Sequence, residues 1–146
     1  MKIDKSHAFG TDRARLWNLL MDPVFLKKSM PGCEELREVE PDRYEAVMRV
    51  GVGSVKGTYQ GKIQITEKDP VSSYKLDVEG SGSAGFVKGG ATIRLTAQTD
   101  GTTLMALDGE AHVGGPVARV GQRLLDAVSK WLVSEFFKQI EKEIRS

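Results

Sequence analysis

The 146-residue chain carries 21 Lys+Arg against 20 Asp+Glu, a formal net charge of +1, so it has no global field to gather nucleic acid or an anionic membrane. A chain of this length makes one ordinary domain with one sizeable core, burying about 68–70% of its unfolded surface. The N-terminus MKIDKSHAFG lacks a signal-peptide apolar stretch, and no window approaches the roughly 18 apolar residues of a membrane helix. A soluble, cytoplasmic protein is expected, and the single cysteine, Cys33, excludes an internal disulfide framework.

Lys2 to Phe9 alternates Ile3, Lys5 and His7 with Lys2, Asp4 and Ser6, which predicts a first strand. Thr11 is placed to cap a helix with Asp12 in its first turn, and Leu16, Trp17, Leu19, Leu20 and Met21 form its inner face. Asp22-Pro23 breaks that helix and opens another over Val24 to Ser29, which Pro31-Gly32 ends.

From Cys33 to Val113 the apolar period changes to two. Tyr44, Ala46, Met48, Val50 and Val52 alternate with Glu45, Arg49 and Gly51. Tyr59, Gly61, Ile63 and Ile65 alternate with Thr58, Gln60, Lys62, Gln64 and Thr66. Tyr74, Leu76 and Val78 oppose Lys75, Asp77 and Glu79, and Ala91, Ile93, Leu95 and Ala97 oppose Thr92, Arg94 and Thr96. The last run, Thr102 to Val113, is a strand of mixed pattern. Turn signals at Pro41-Asp42, Gly51 to Ser54, Asp69-Pro70, Gly80 to Gly85 and Asp100-Gly101 join these strands too closely for parallel crossovers, so the pairs are antiparallel. From Pro116 to Ile144 one long helix is predicted, with Val117, Val120, Leu124, Val128, Leu132, Phe136 and Ile140 on one face and Gly114-Gly115 bending the chain into it; at 1.5 Å per residue it is roughly 42 Å long. The order strand, two short helices, six strands, long helix is an α+β architecture in which an antiparallel sheet closes around the terminal helix.

That order resembles the helix-grip fold of the START/Bet v 1-like (SRPBCC) superfamily. Trp17-Asn18-Leu19-Leu20-Met21-Asp22-Pro23, Met30-Pro31-Gly32-Cys33-Glu34-Glu35-Leu36, Lys56-Gly57-Thr58-Tyr59-Gln60-Gly61, Gly85-Phe86-Val87-Lys88-Gly89 and Val113-Gly114-Gly115-Pro116 with Val120-Gly121-Gln122-Arg123-Leu124-Leu125 together resemble the CoxG (carbon monoxide dehydrogenase G-subunit) family over nearly the whole chain. The resemblance implies one helix-grip domain over residues 1–146: a seven-stranded curved antiparallel sheet, two short helices and a long C-terminal helix enclosing a hydrophobic cavity. It also implies association with molybdenum hydroxylases of the carbon monoxide dehydrogenase type, recruitment of such an enzyme to a membrane, and binding of a quinone or similar isoprenoid. Longer members carry a C-terminal extension held responsible for membrane attachment; this sequence stops at Ser146, so an anchor of that kind is not expected.

The other motifs have plain readings. Gly80-Ser81-Gly82-Ser83-Ala84-Gly85 spells G-x-G-x-x-G, but a dinucleotide site needs a helix after it, and here a strand follows. A hairpin is expected, with a place at the pocket mouth as its secondary role. Cys33 lies between no cations in sequence and beside Glu34 and Glu35, which suits a structural thiol and not a nucleophile. His7 and His112 belong to no metal-ligand spacing. Glu110 and His112 share one strand face, and the apolar parity of Gly109, Ala111 and Val113 assigns them to solvent. Arg119, Arg123, Lys130 and Lys138, with Lys56 and Lys88, form a solvated face or a contact with phosphate head groups or an acidic partner.

The candidate site is therefore the apolar inner set: Tyr44, Met48, Tyr59, Gly61, Ile63, Leu76, Phe86, Leu107, Gly121, Leu124, Leu125 and Val128. Gly61 and Gly121 would withhold side-chain volume where sheet and helix meet, or simply permit close packing. A Tyr44 or Tyr59 hydroxyl is placed to meet a head-group carbonyl, and isoprenoid burial is favourable by about 0.8 kcal/mol per methylene. The expectation is a binding protein for a quinone or another lipid, without covalent cofactor, metal or catalytic residues. Its partners are a molybdenum hydroxylase and peripherally the inner face of a membrane, with no nucleic acid. The alternatives are an assembly or recruitment module for such an enzyme, and a cyclase- or dehydratase-type enzyme of the same superfamily.

Overall fold

A computed structural model describes residues 1–51 and 56–146; Val52 and the Gly53-Ser54 part of the expected turn lie outside them. Strands β1 (Lys2–Phe9), β2 (Cys33–Glu40), β3 (Arg43–Val50), β4 (Gly57–Asp69), β5 (Ser73–Gly82), β6 (Gly85–Ala97) and β7 (Thr103–Gly114) make one curved sheet in the order β1-β7-β6-β5-β4-β3-β2. Every pair is antiparallel. Helices α1 (Arg13–Leu20) and α2 (Pro23–Ser29) join β1 to β2, and α3 (Gln122–Arg145) follows β7. The glycine-rich Gly80 to Gly85 segment is the β5–β6 hairpin, not a cofactor loop.

Local chemistry sets the helix ends. Asp12, not Thr11, is the N-cap of α1: its carboxylate accepts the Arg15 N–H at 2.7 Å. Thr11 is drawn inward instead, its carbonyl accepting the buried Thr103 hydroxyl at 2.8 Å. Asp22 caps α2 by accepting the Val24 N–H at 3.0 Å, and Pro23 occupies the first turn, where its missing donor is no loss.

The terminal segment departs from the single predicted helix. Pro116–Val120 is a 3-10 turn flanked by Gly115 (φ 78) and Gly121 (φ 95), and α3 begins only at Gln122. Positive φ at Gly121 cannot continue a right-handed helix, so the apolar phase carried through it in sequence is reset. With 24 residues α3 is roughly 36 Å long. Its buried residues are Phe137 and Ile140, so Phe137 takes the place expected for Phe136, which is only half-buried.

Register divides the sheet into two faces, because directly opposed residues share one. The outer face is charged: Arg37↔Glu45, Glu45↔Lys62, Lys62↔Glu79, Glu79↔Lys88 and Lys88↔His112 form a continuous cross-strand ladder of alternating sign up to Lys88. Glu110 stands on this face too, opposite Lys2. The inner face carries the core. Phe9, Ile65, Tyr74, Ile93, Leu95 and Met105 pack with Leu16, Trp17 and Leu20 of α1, Phe25 of α2, and Phe137 and Ile140 of α3. Trp17 meets Tyr74 edge to face, ring centroids 5.5 Å apart.

Candidate functional site

That core fills only one half of the inner face. Toward the other end of the strands the opposed rows are Ala46↔Gly61, Met48↔Tyr59, Gly61↔Gly80, Ile63↔Val78, Val78↔Gly89, Leu76↔Ala91, Gly89↔Ala111 and Ala91↔Gly109. These positions are apolar and mostly small. They face the first half of α3, where none of the side chains from Gln122 to Phe136 is buried. Val78 shows what this means: register puts it on the inner face, yet it is 37% exposed. Ile63, Leu76, Met48 and Leu107 are half-buried in the same region. Ala46, Tyr59, Gly109 and Ala111 are themselves buried, so the accessible apolar surface of this half centres on Val78.

The reason lies in how α3 is seated. Its closest backbone approaches are to β1 and α2, while Phe137 and Ile140 join the core that Ile65, Tyr74, Ile93 and Leu95 build from the middle strands. On β1, Lys5 Nζ donates to Ser134 Oγ at 2.6 Å, His7 Nε2 pairs with Glu141 at 3.0 Å, and Phe9 meets the Phe137 ring. All of these contacts fall in the second half of the helix.

Ten of the twelve expected site residues lie on the inner face or on α3. Met48, Tyr59 and Gly61 floor the open half, Ile63, Leu76 and Leu107 stand at its border, and Leu124, Leu125 and Val128 lie half-buried on α3. Tyr44 shares that face but sits in the packed half at 4% exposure. Burial, then the hydrogen bond to the Glu38 carboxylate, pushes its phenol up to about 12. Burial also raises the Tyr59 phenol and the Cys33 thiol. Cys33 is half-buried and donates to the Glu35 carbonyl at 3.3 Å, and its raised pKa keeps it a protonated thiol at neutral pH.

Two expected residues are elsewhere. Phe86 opposes Ser81 and Gly114 on the outer face, 51% exposed, with its ring lying over Gly114. The β5–β6 turn sets the parity of the strand, and it puts Val87, not Phe86, inward. Gly121 does not withhold volume from a contact: a Cβ there would meet nothing within 4 Å, and its role is the φ of 95° that breaks the chain before α3. Sequence reasoning missed Gly80, Gly89, Gly109 and Ala111 as floor residues. Cross-strand register places all four on the inner face; parity along the strand already sets Gly109 and Ala111 on the apolar side, but Gly80 and Gly89 have no hydropathy to alternate.

Three surface depressions, of about 420, 370 and 650 Å³, lie on the charged face and are lined mainly by residues such as Glu45, Lys62, Glu79, Lys88 and Asp108. They are mixed in charge, so the apolar surface on the opposite side remains the better candidate. Among the described residues, no group of three or more His, Cys, Asp or Glu is arranged to hold a metal ion. No helix among them is long and apolar enough to cross a membrane.

The family model for the carbon monoxide dehydrogenase G-subunit (CoxG) matches residues 8–145. The chain belongs to the CoxG family. A conserved protein from Geobacillus kaustophilus is similar at 39% identity and a TM-score of 0.96, over 99% of this chain and 95% of that one. A START superfamily protein from Mycobacterium smegmatis shares the fold at 9% identity and a TM-score of 0.76, over 99% and 97% of the two chains. A second protein from that organism does so at 20% identity and a TM-score of 0.70, over 99% and 90%. No curated protein matches the sequence. CoxG membership and the START-like fold agree with the seven-stranded antiparallel sheet and long C-terminal helix.

Proposed function

We propose that this CoxG-family chain is a carrier for a quinone or a similar isoprenoid lipid, held on the open half of the inner face against the first half of α3. One observation carries the reading: Val78, whose register turns it inward, stays 37% exposed, and α3 buries none of its side chains from Gln122 to Phe136. Contiguous accessible apolar surface of this kind marks a ligand or partner site. Among the described residues the floor has no charged side chain between β3 and β7; the charged groups sharing the inner face are Lys5 and His7 at one edge strand and Glu38 at the other. Such a surface holds an uncharged polycyclic or isoprenoid group and offers no acid and base on either side of one. We therefore read a binding protein and not an enzyme, without covalent cofactor.

The family description supports the partner: the ligand would pass to or from a molybdenum hydroxylase of the carbon monoxide dehydrogenase type. A second reading, peripheral recruitment of that enzyme to the cytoplasmic face of a membrane, is favoured by Trp131. It is 45% exposed on α3, next to Lys130 and in the half that also bears Arg123. Interfacial tryptophan beside cations is suited to a head-group layer.

Mass spectrometry of the purified protein under native conditions, with solvent extraction of what it carries, tests the first reading. A stoichiometric apolar ligand is expected. Absence of any ligand, together with no change in Trp fluorescence or melting temperature on adding several quinone and lipid classes, removes it. The second reading is tested by co-sedimentation with anionic vesicles, which Trp131→Ala together with Lys130→Ala is expected to weaken.

A further inference from the structure

The two ends of the terminal segment are held by different means. At the far end Phe137 and Ile140 are buried, and the Arg15 guanidinium donates to the carbonyls of Glu143 and Ile144 at 3.3 and 3.2 Å. Lys28 pairs with Glu143, and His7 with Glu141. At the near end, among the described residues, Val117 makes the one buried contact. Val117 is buried in the middle of the 3-10 turn, and its N–H donates to the Ala84 carbonyl at 2.6 Å, at the tip of the β5–β6 hairpin.

On either side of Val117 stands a glycine in a conformation that residues with a Cβ rarely adopt: Gly115 at φ 78 and ψ −165, Gly121 at φ 95 and ψ 155. Gly115 is pressed against Gly85, where a Cβ would come within 2.9 Å of the Gly85 Cα. Gly121 opens on empty space. A five-residue turn therefore lies between two glycine pivots, one of them unobstructed, and among its own residues Val117 is the buried one. It runs from the end of β7 to the start of α3 and rests on the tip of the β5–β6 hairpin at Ala84 and Gly85.

We propose that Pro116–Val120 is a flap at the mouth of the ligand site, hinged at Gly115 and Gly121 and latched by Val117 on Ala84. The proposal rests on the reading of the inner face as an apolar-ligand site. Opening the flap breaks one inter-element backbone hydrogen bond and withdraws one buried side chain, while the anchors of α3 at Phe137, Ile140 and Arg15 stay in place. It sets the rate at which a ligand comes and goes, not how tightly it is held, since the floor residues are not part of it.

Amide hydrogen exchange reads the latch without any ligand. In the wild-type protein the Val117 amide is expected to exchange at least about tenfold faster than those of Phe137 and Ile140, as a locally opening unit does. In Val117→Ala, exchange at 117–121 should rise further while that of residues 137–140 is unchanged. Stopped-flow mixing with anilinonaphthalene sulfonate, an apolar dye, should then show association and dissociation both faster in Val117→Ala, with an affinity within about twofold of wild type. Equal protection of Val117 and Ile140 amides overturns the flap, as does a loss of dye affinity without faster exchange. A protein with the expected exchange pattern that takes up no apolar probe keeps the flap and loses the ligand reading.

Discussion

Phe9 of β1 and Phe137 of α3 meet edge to face, ring centroids 5.7 Å apart and planes at 83°, and this contact lies where the fold changes from packed to open. Both rings are buried, and His7 and Lys5 on the same strand lie beside the Phe137 ring. Before Phe137 the helix buries none of its residues; from it onward Ile140 joins the core. Removing the ring should therefore cost about 3–5 kcal/mol, as for other fully packed phenylalanines. Denaturant titration of Phe137→Ala measures it. Trp131 lies six residues earlier, roughly 9 Å nearer the helix start, and is largely in solvent, so Trp131→Ala should cost under about 1 kcal/mol.

Filling the floor should abolish ligand uptake and spare the fold. A Cβ on Gly61 would touch Ala46 only at 3.6 Å, ordinary contact distance, and Val78 already looks into open space. Gly61→Val and Val78→Trp are expected to melt within a few degrees of wild type and to lose binding of a short-chain menaquinone. Phe86→Ala, on the opposite face, should bind as wild type does. Equal binding by Val78→Trp and wild type would place the ligand elsewhere.

Gly121→Ala should destabilise the protein by about 1–3 kcal/mol through backbone strain alone, because φ 95 is unfavourable for any residue with a Cβ while the space around it is empty. Gly121→Leu should then cost about as much as Gly121→Ala. A much greater loss in the leucine variant would mean that the position is crowded after all.

Much of this architecture is legible in the chain. The alternation of Tyr59, Gly61, Ile63 and Ile65 with polar neighbours sets the wet and dry faces of β4, and Asp22-Pro23 marks a helix start that its capping geometry explains. Hydropathy misplaces Phe86 because its strand begins at a glycine turn: apolar character does not say which way a hairpin points a residue. The same pattern draws the terminal helix too long, since Gly121 falls inside an unbroken apolar spacing and the left-handed φ that interrupts it has no hydropathic signature. Phe136 and Phe137 are adjacent, so helical period alone cannot choose between them; the partner on β1 does.

Alkaline solution should weaken the fold through Tyr44. Its phenol is pushed up to about 12 by burial and by the Glu38 carboxylate, so between its ordinary value of 10.0 and about 12 the folded protein keeps a proton that the unfolded chain has lost. Stability is then fully present below pH 10 and falls as pH rises toward 12. Tyr74, whose burial also raises its phenol, adds to the same trend. Tyr44→Phe should flatten the slope of unfolding free energy over that window, leaving the Tyr74 part, and an unchanged slope would show that Tyr44 does not contribute.

We propose that the inner face between β3 and β7 takes an apolar ligand alongside the first half of α3, whose buried residues come only later, at Phe137 and Ile140. Titration of a short-chain menaquinone, followed by quenching of intrinsic tryptophan fluorescence, tests this reading. Saturable one-to-one quenching in the wild-type protein and in Phe86→Ala, absent in Val78→Trp, is the predicted result. Quenching that fails to saturate, or that persists unchanged in Val78→Trp, contradicts it.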